Sequence, residues 1–430
     1  MRILWLKSDL LLPLDKGGKL RSWHLLRHLA QRHEITYVAF ASPNEPKANI
    51  EGMREVAREV HVIPRFETRK GSLGFYARAA MRLADPLPYA VGSYRSRAYR
   101  QRVQSLLGDG GFDLVVSDFI LPAVNLPGRL PCPSVVFTHN VESEIWRRHA
   151  ETASGVTRPL YTTQYRRMLR FERRALDRFD GVLAVSATDR DTLTQIYSDA
   201  IHGPVHIVQT GVDIEFFEPA PTPAGSRTLV FTGSMDWLPN EDAMLHFCRD
   251  VLPRIRAQEP QVSLSIVGRA PTPAVARLAQ EPGVSVTGRV DDVRPYMAES
   301  AVYVVPLRIG GGTRLKIFEA MAMGKAVVST SVGAEGLPVQ DGEHLLLADD
   351  SDSFASAVVR LLRDDEQRRS LEASARTLVV EHYDWAAVAG DLDRALTRVA
   401  KGSTDHSTPR TSTATAPAMA KEVHATNRAR

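Results

Sequence analysis

Short apolar runs rich in β-branched residues alternate along this chain with longer stretches whose apolar positions recur every three or four residues. In the first half the runs fall at residues 3–7, 35–40, 60–63, 114–117, 134–138, 182–185 and 205–209. Each is compact and almost wholly apolar, the pattern of parallel strands buried on both faces. Helical periodicity fills the gaps, most clearly over residues 19–32 and 161–179. Strands alternating with helices predict βαβ units and a doubly wound sheet.

The alternation stops at residues 219–226, PAPTPAGS, which has no apolar periodicity and reads as a linker. It then restarts with runs at 229–232, 263–267, 284–287, 302–306, 326–329 and 345–347, and a helical stretch at 353–400 follows. The expected architecture is α/β: a first Rossmann-like domain over residues 1–218, the linker, and a second over 227–400 with closing helices. Residues 401–430 are rich in Ser, Thr, Ala and Pro without a core-forming pattern and are expected to be disordered.

Composition adds limits. At 430 residues the chain is too long for one ordinary core, and 43% apolar with 24% charged residues is the balance of a globular protein. The two cysteines, Cys132 and Cys248, stand far apart without metal-ligand spacing, so a reducing, cytoplasmic setting is expected. The apolar N-terminus is broken by Lys7, Asp9 and Pro13 and does not read as a signal peptide, and no run is long enough to span a bilayer. The net charge of +4 divides into +7 over residues 1–215 and −3 over the remainder. Arginine clusters at 95–102 and 166–178 account for much of the first half's excess. Solvated helix faces explain them best; contact with anionic lipid at the inner membrane face is the functional alternative. No nucleic-acid-binding motif accompanies them.

Three segments carry chemistry. Lys16–Arg21, KGGKLR, follows the first strand and opens a helix, so Gly17 and Gly18 allow close backbone approach to a phosphate or sugar near a helix N-terminus. Residues 137–143, FTHNVES, end a buried strand, where open α/β sheets gather their ligands; His139 and Glu142 are its polar candidates. Residues 306–330, PLRIGGGTRLKIFEAMAMGKAVVST, run strand, glycine loop, helix and strand. Gly310, Gly311 and Gly312 turn N–H groups toward an anion. Arg314 and Lys316 place cations in a first helical turn that the dipole does not favour, as if to meet a diphosphate, and Glu319 follows a turn deeper.

Residues 310–330 and GAEGLPV at 333–339 resemble the donor-binding motif of family 4 glycosyltransferases, retaining enzymes of the GT-B fold, in which two Rossmann-like domains face a cleft. FTGSMDWLPN (231–240), SIVGR (265–269), VTGRVDDVRPYM (286–297), HNVE (139–142) and TGVD (210–213) extend the likeness over most of residues 1–400. Bacterial transferases of exopolysaccharide assembly are the most similar subgroup.

The resemblance implies transfer of a sugar from a nucleotide-diphosphate sugar to a glycan or lipid-linked acceptor, without a metal or other cofactor. It gives Glu319 the grip on the donor ribose, His139 a place near the donor sugar and its phosphate, and Gly17 and Gly18 an approach to the transferred sugar. Backbone at Arg289 and Val290 faces the nucleobase. Gly233, Ser234, Thr313 and Arg269 join the donor set. The sequence departs from the family in holding Gly311 where a first glutamate is expected, and uncharged Ser234 and Asn240 where a basic pair is expected. Arg314 or Lys316, with Arg269, are expected to replace that charge. The acceptor is expected against residues 71–102, with Tyr76, Tyr89, Tyr94 and Tyr99 available for stacking. A sugar-nucleotide epimerase and a non-catalytic sugar-nucleotide-binding subunit are the competing readings.

Overall fold

Each apolar run singled out above folds as a strand, and all pairings among them are parallel. In this computed structural model the described residues are 1–14, 17–66, 85–128, 130–155, 157–309 and 315–402. The first sheet comprises β1 (Arg2–Lys7), β2 (Glu34–Ala41), β3 (Glu59–Pro64), β4 (Leu114–Asp118), β5 (Ser134–Phe137), β6 (Gly181–Ala184) and β7 (Val205–Ile207), in the order β3-β2-β1-β4-β5-β6-β7. The second comprises β8 (Thr228–Thr232), β9 (Ser263–Val267), β10 (Val284–Val286), β11 (Val302–Val305), β12 (Ala326–Ser329) and β13 (Leu346–Leu347), in the order β10-β9-β8-β11-β12-β13. In both, strand order reverses beside the first strand of the sheet, which opens a crevice at the strands' C-terminal ends.

Ile3, Leu4, Trp5 and Leu6 are all fully buried because helices cover both faces of the first sheet. One face packs on Trp23, Leu25 and Leu26 of the Gly17–Leu29 helix; the other holds Tyr99, Val103, Met168 and Leu176. Tyr99 is therefore core: its hydroxyl donates to the Val38 carbonyl at 3.0 Å, and it is not available to stack on an acceptor. Tyr94 packs on Phe40, under the Arg65 guanidinium. Tyr76 and the rest of residues 67–84 lie outside the described residues. Arg166, Arg170, Arg173 and Arg174 are exposed on the Thr157–Leu176 helix, a solvated basic face.

The two domains exchange chain at places the composition did not mark. Val212, Ile214, Phe217 and Ala220 already pack on the second core. Residues 219–226 lie on that domain: Ala220 N–H donates to the Met323 carbonyl, and the Thr222 hydroxyl receives the Lys325 ammonium. The crossing is at Gly211–Val212, where Val212 N–H donates to the Tyr383 carbonyl at 2.7 Å and Gly211 lies flat against the Trp385 ring. The chain crosses back there. Helices Ser351–Arg363 and Asp365–His382 close the second domain, but Trp385–Gly402 returns to the first, burying Trp385, Val388, Ala389, Leu392 and Leu396 in its core. Its apolar positions recur at helical spacing toward the first sheet, and His33 fixes its outer face through Asp393 at 2.8 Å. Residues 403–430 lie outside the described residues.

Candidate active site

The register of β1 against β4 sets Lys7 directly beside Asp118 at the ends of the two central strands. Both are buried, so the charges must be satisfied internally. Asp118 accepts from Trp5 Nε1 at 3.0 Å, Ser22 Oγ at 2.6 Å, Lys7 Nζ at 2.8 Å and His139 Nε2 at 2.6 Å. Burial alone would push the Asp118 carboxyl up; Lys7 and His139 overcome it and hold it well below the usual carboxylate range. Burial likewise pushes His139 down to about 4, against the pull of Asp118.

A neutral His139 that donates through Nε2 presents Nδ1 as an acceptor, and Arg21 Nη1 lies 3.4 Å from it. The imidazole stacks on Phe119, with centroids 3.9 Å apart and planes 7° from parallel. Phe119 holds φ at +76° to lay its ring there, between His139 and the Gly17–Leu29 helix. A Cβ on Gly18 would come within 3.2 Å of that ring, so the glycine allows this approach. Both nitrogens of His139 are thus engaged by protein groups.

Glu142 opens the Glu142–Thr152 helix one turn beyond His139. The helix N-terminus is capped from outside by Glu172, which accepts from Glu142 N–H at 2.8 Å, Ser143 N–H at 2.9 Å and the Tyr197 hydroxyl at 2.6 Å. Burial, with Glu172 beside it, pushes the Glu142 carboxyl up to about 7.

In the second domain, Lys316 reaches from the Leu315–Ala322 helix to the end of β8. Its ammonium donates to Asn240 Oδ1 at 3.1 Å and stands 4.0 Å above the Phe231 ring. Asn240 donates in turn to the Ser234 carbonyl at 2.8 Å. A Cβ on Gly233 would come within 2.8 Å of the Lys316 ammonium, so this glycine makes room for it. Lys316 therefore occupies the place where Ser234 and Asn240 supply no charge. Gly268 presses the end of β9 onto Gly233, where any side chain would strike the Gly233 carbonyl oxygen.

Glu319 follows one turn later; burial pushes its carboxyl up to about 7, opposed by Lys316. Arg269 is exposed beside Asp236 and is not brought to Lys316. Arg289 and Val290 line an open cavity of about 580 Å³ with Asp291, Asp292, Pro295, Tyr296 and Glu299. Gly310, Gly311, Gly312, Thr313 and Arg314 lie outside the described residues.

The two sets face one another. A Cβ on Gly17 would lie 3.3 Å from Leu315 Cδ1, and one on Gly336 would lie 3.7 Å from Ser186. The glycine turn of the first domain thus opposes the start of the Lys316–Glu319 helix across the cleft. Lys7, Asp118 and the fixing role of Arg21 escaped the sequence reading. Their signal was there in weak form: a charged residue closing an otherwise apolar strand, twice, on neighbouring strands. Glu172 and Tyr197 gave none.

A glycosyltransferase family 4 model matches residues 17–216, and a group 1 glycosyl transferase model matches residues 226–364. The phosphatidyl-myo-inositol mannosyltransferase of Mycobacterium leprae is 30% identical over 76% of this chain and 85% of that protein. Among solved structures, sucrose-phosphate synthase from Thermosynechococcus elongatus superposes with a TM-score of 0.68 at 18% identity, covering 94% of this chain and all of that one. HepE from Anabaena in complex with UDP gives 0.64 at 16% identity, covering 92% of this chain and all of that one. At such identities the structures speak for the fold, which is GT-B, and the sequence matches speak for the activity, which is sugar transfer rather than epimerisation or mere binding. The chain belongs to glycosyltransferase family 4.

Proposed function

We propose that the donor is a nucleotide-diphosphate sugar whose diphosphate lies against Gly233 and the start of the Leu315–Ala322 helix, with Lys316 as its cation. The carrying observation is the Lys316 ammonium over Phe231, held by Asn240 beside a glycine that leaves room for it. A cation over an aromatic face in a cleft is in place to stabilise the charge that gathers on a departing diphosphate. Glu319, one turn on, accepts hydroxyls, and the cavity at Arg289 and Val290 is roomy enough for a base. Transfer proceeds with retention, the leaving diphosphate taking the acceptor's proton, so the protein's task is positioning and charge stabilisation.

The acceptor in this reading is a glycan or lipid-linked glycan of cell-surface or exopolysaccharide assembly, met at the inner membrane face by the basic first half. One likeness supports this acceptor, the Mycobacterium leprae relative being named for a lipid; another, HepE crystallised with UDP, supports the nucleotide donor. No helix among the described residues is long and apolar enough to cross a membrane. Calorimetric titration of UDP, GDP and ADP tests the donor site. One diphosphate should bind selectively, and Lys316→Ala with Arg314→Ala should weaken it on the order of 10–100-fold while leaving the free nucleoside unaffected, as expected for a charge-assisted contact. Unchanged diphosphate affinity in the double variant would refute the assignment.

A further inference from the structure

Arg21 is the cation of the first-domain cluster to which no carboxylate among the described residues is hydrogen-bonded. It lies three and four residues after Gly18 and Gly17 on the same helix, so it sits beneath the glycine turn on one face. The side chain is 6% exposed. Among the described residues its hydrogen-bond partner is His139, a neutral ring, and its Nε is buried without an acceptor. Asp118, the obvious counter-ion, already receives Trp5, Ser22, Lys7 and His139. Asp189 feels the Arg21 charge, but the bond its carboxylate makes is to the Ser186 hydroxyl. A buried guanidinium with unmet N–H groups is costly, and its planar fork matches the two oxygens of a carboxylate or phosphate.

We infer that Arg21 binds an oxyanion of the substrate, a carboxylate or phosphate presented at the Gly17–Gly18 turn, separately from the diphosphate that Lys316 receives in the other domain. This rests on the proposed donor site for its sugar arm alone. The oxyanion has two sources: a carboxylate on the transferred sugar, as in a uronic acid, or a phosphate on the acceptor. His139 is then a positioning residue, holding Arg21 through Nδ1 while Asp118 fixes the ring.

The test compares the full-length wild type with Arg21→Gln and Arg21→Lys. Matched donors (UDP-glucose against UDP-glucuronate, GDP-mannose against GDP-mannuronate) are titrated, and inorganic phosphate is tested by thermal shift. If the sugar carries the anion, the uronate binds at least tenfold tighter than its neutral twin in the wild type, and Arg21→Gln abolishes the difference. If the acceptor carries it, the twins bind alike, whereas millimolar phosphate raises the melting temperature of the wild type and Arg21→Lys but not of Arg21→Gln. The unliganded Arg21→Gln protein should melt at or above the wild-type temperature, because an uncompensated buried charge has gone. A fall of several degrees restored in Arg21→Lys, or identical responses of wild type and Arg21→Gln to uronates and phosphate, would overturn the inference. If no nucleotide binds at all, the donor reading fails while the phosphate arm still decides Arg21.

Discussion

The two poles of the cleft are built on opposite principles. At the first-domain pole, sheet register and a helix bring Lys7, Asp118, Ser22, His139 and Trp5 into a closed buried network in which the carboxylate has four donors. At the second-domain pole, Lys316 leans on Asn240 and an aromatic face, and the Glu319 carboxyl has no hydrogen-bond donor among the described residues. The carboxylate hub of the first pole is complete before any ligand arrives and serves to fix geometry, with Arg21 beside it left to meet the proposed oxyanion. At the other, a cation and a carboxylate stand on a helix start that faces the proposed donor, the arrangement that electrostatic stabilisation of a leaving group requires. Strand ends are rigid and helix starts are open, so each task sits on the element suited to it.

The hardest way to break this contrast is to remove the hub. Asp118→Ala leaves Lys7 buried without its ion-pair partner, and should cost about 3–5 kcal/mol. Urea denaturation followed by tryptophan fluorescence reads the loss, since Trp5 donates to the same carboxylate. Glu319→Ala should cost far less, because Lys316 keeps Asn240 and the Phe231 ring. Equal losses in the two variants would erase the distinction between the poles.

That asymmetry also governs what could be read from the chain. Parallel strands buried on both faces are nearly continuous apolar runs, so all thirteen were legible, most within a residue or two at each end. Gly17, Gly18, His139, Lys316 and Glu319 could be picked out as candidates because glycine loops and strand ends mark ligand positions in such sheets. Lys7 and Asp118 are over a hundred residues apart, and only register joins them. Tyr99 was misread because an aromatic residue in an arginine-rich stretch gives no sign of which face its helix buries. The interdomain crossing was misplaced for a related reason. Proline and glycine at 219–226 break periodicity, but a segment without periodicity can still lie packed on a domain, as Thr222 and Ala220 do.

A second, smaller effect separates the poles by the sign of their pH dependence. His139 is pushed down to about 4 in the folded chain from an ordinary 6.5, so between those values the unfolded chain binds the extra proton. Its share of stability is present above pH 6.5 and is lost as pH falls toward 4. Glu319 runs the other way: raised from 4.5 to about 7, it favours the folded state below pH 4.5, and that share is lost as pH rises through 7. Each contribution is on the order of 3 kcal/mol. Because the two windows overlap with opposite sign, stability measured from pH 4 to 7.5 should fall more with rising pH in His139→Gln, and rise more with pH in Glu319→Gln, than in the wild type. Slopes of the same sign at the two sites would mean that the poles are not charged as described.

The smallest expected change in stability sharpens the contrast where the poles meet. Gly17 starts its helix, has no left-handed φ, and a Cβ there meets, among the described residues, only the end of the Leu315 side chain at 3.3 Å. Gly17→Ala should therefore fold with a stability within about 1 kcal/mol of the wild type, the helix gaining from reduced freedom of the unfolded chain what the tight contact takes away. Yet the methyl group enters the space between the glycine turn and the Lys316 helix, where the transferred sugar is proposed to lie. A drop of tenfold or more in kcat/KM at unchanged stability would show that the glycine serves the substrate's approach. Wild-type turnover in Gly17→Ala would leave the pair as a plain strand-to-helix turn, and the sugar would have to bind nearer Phe119 and Gly18, where the ring already limits the room to 3.2 Å.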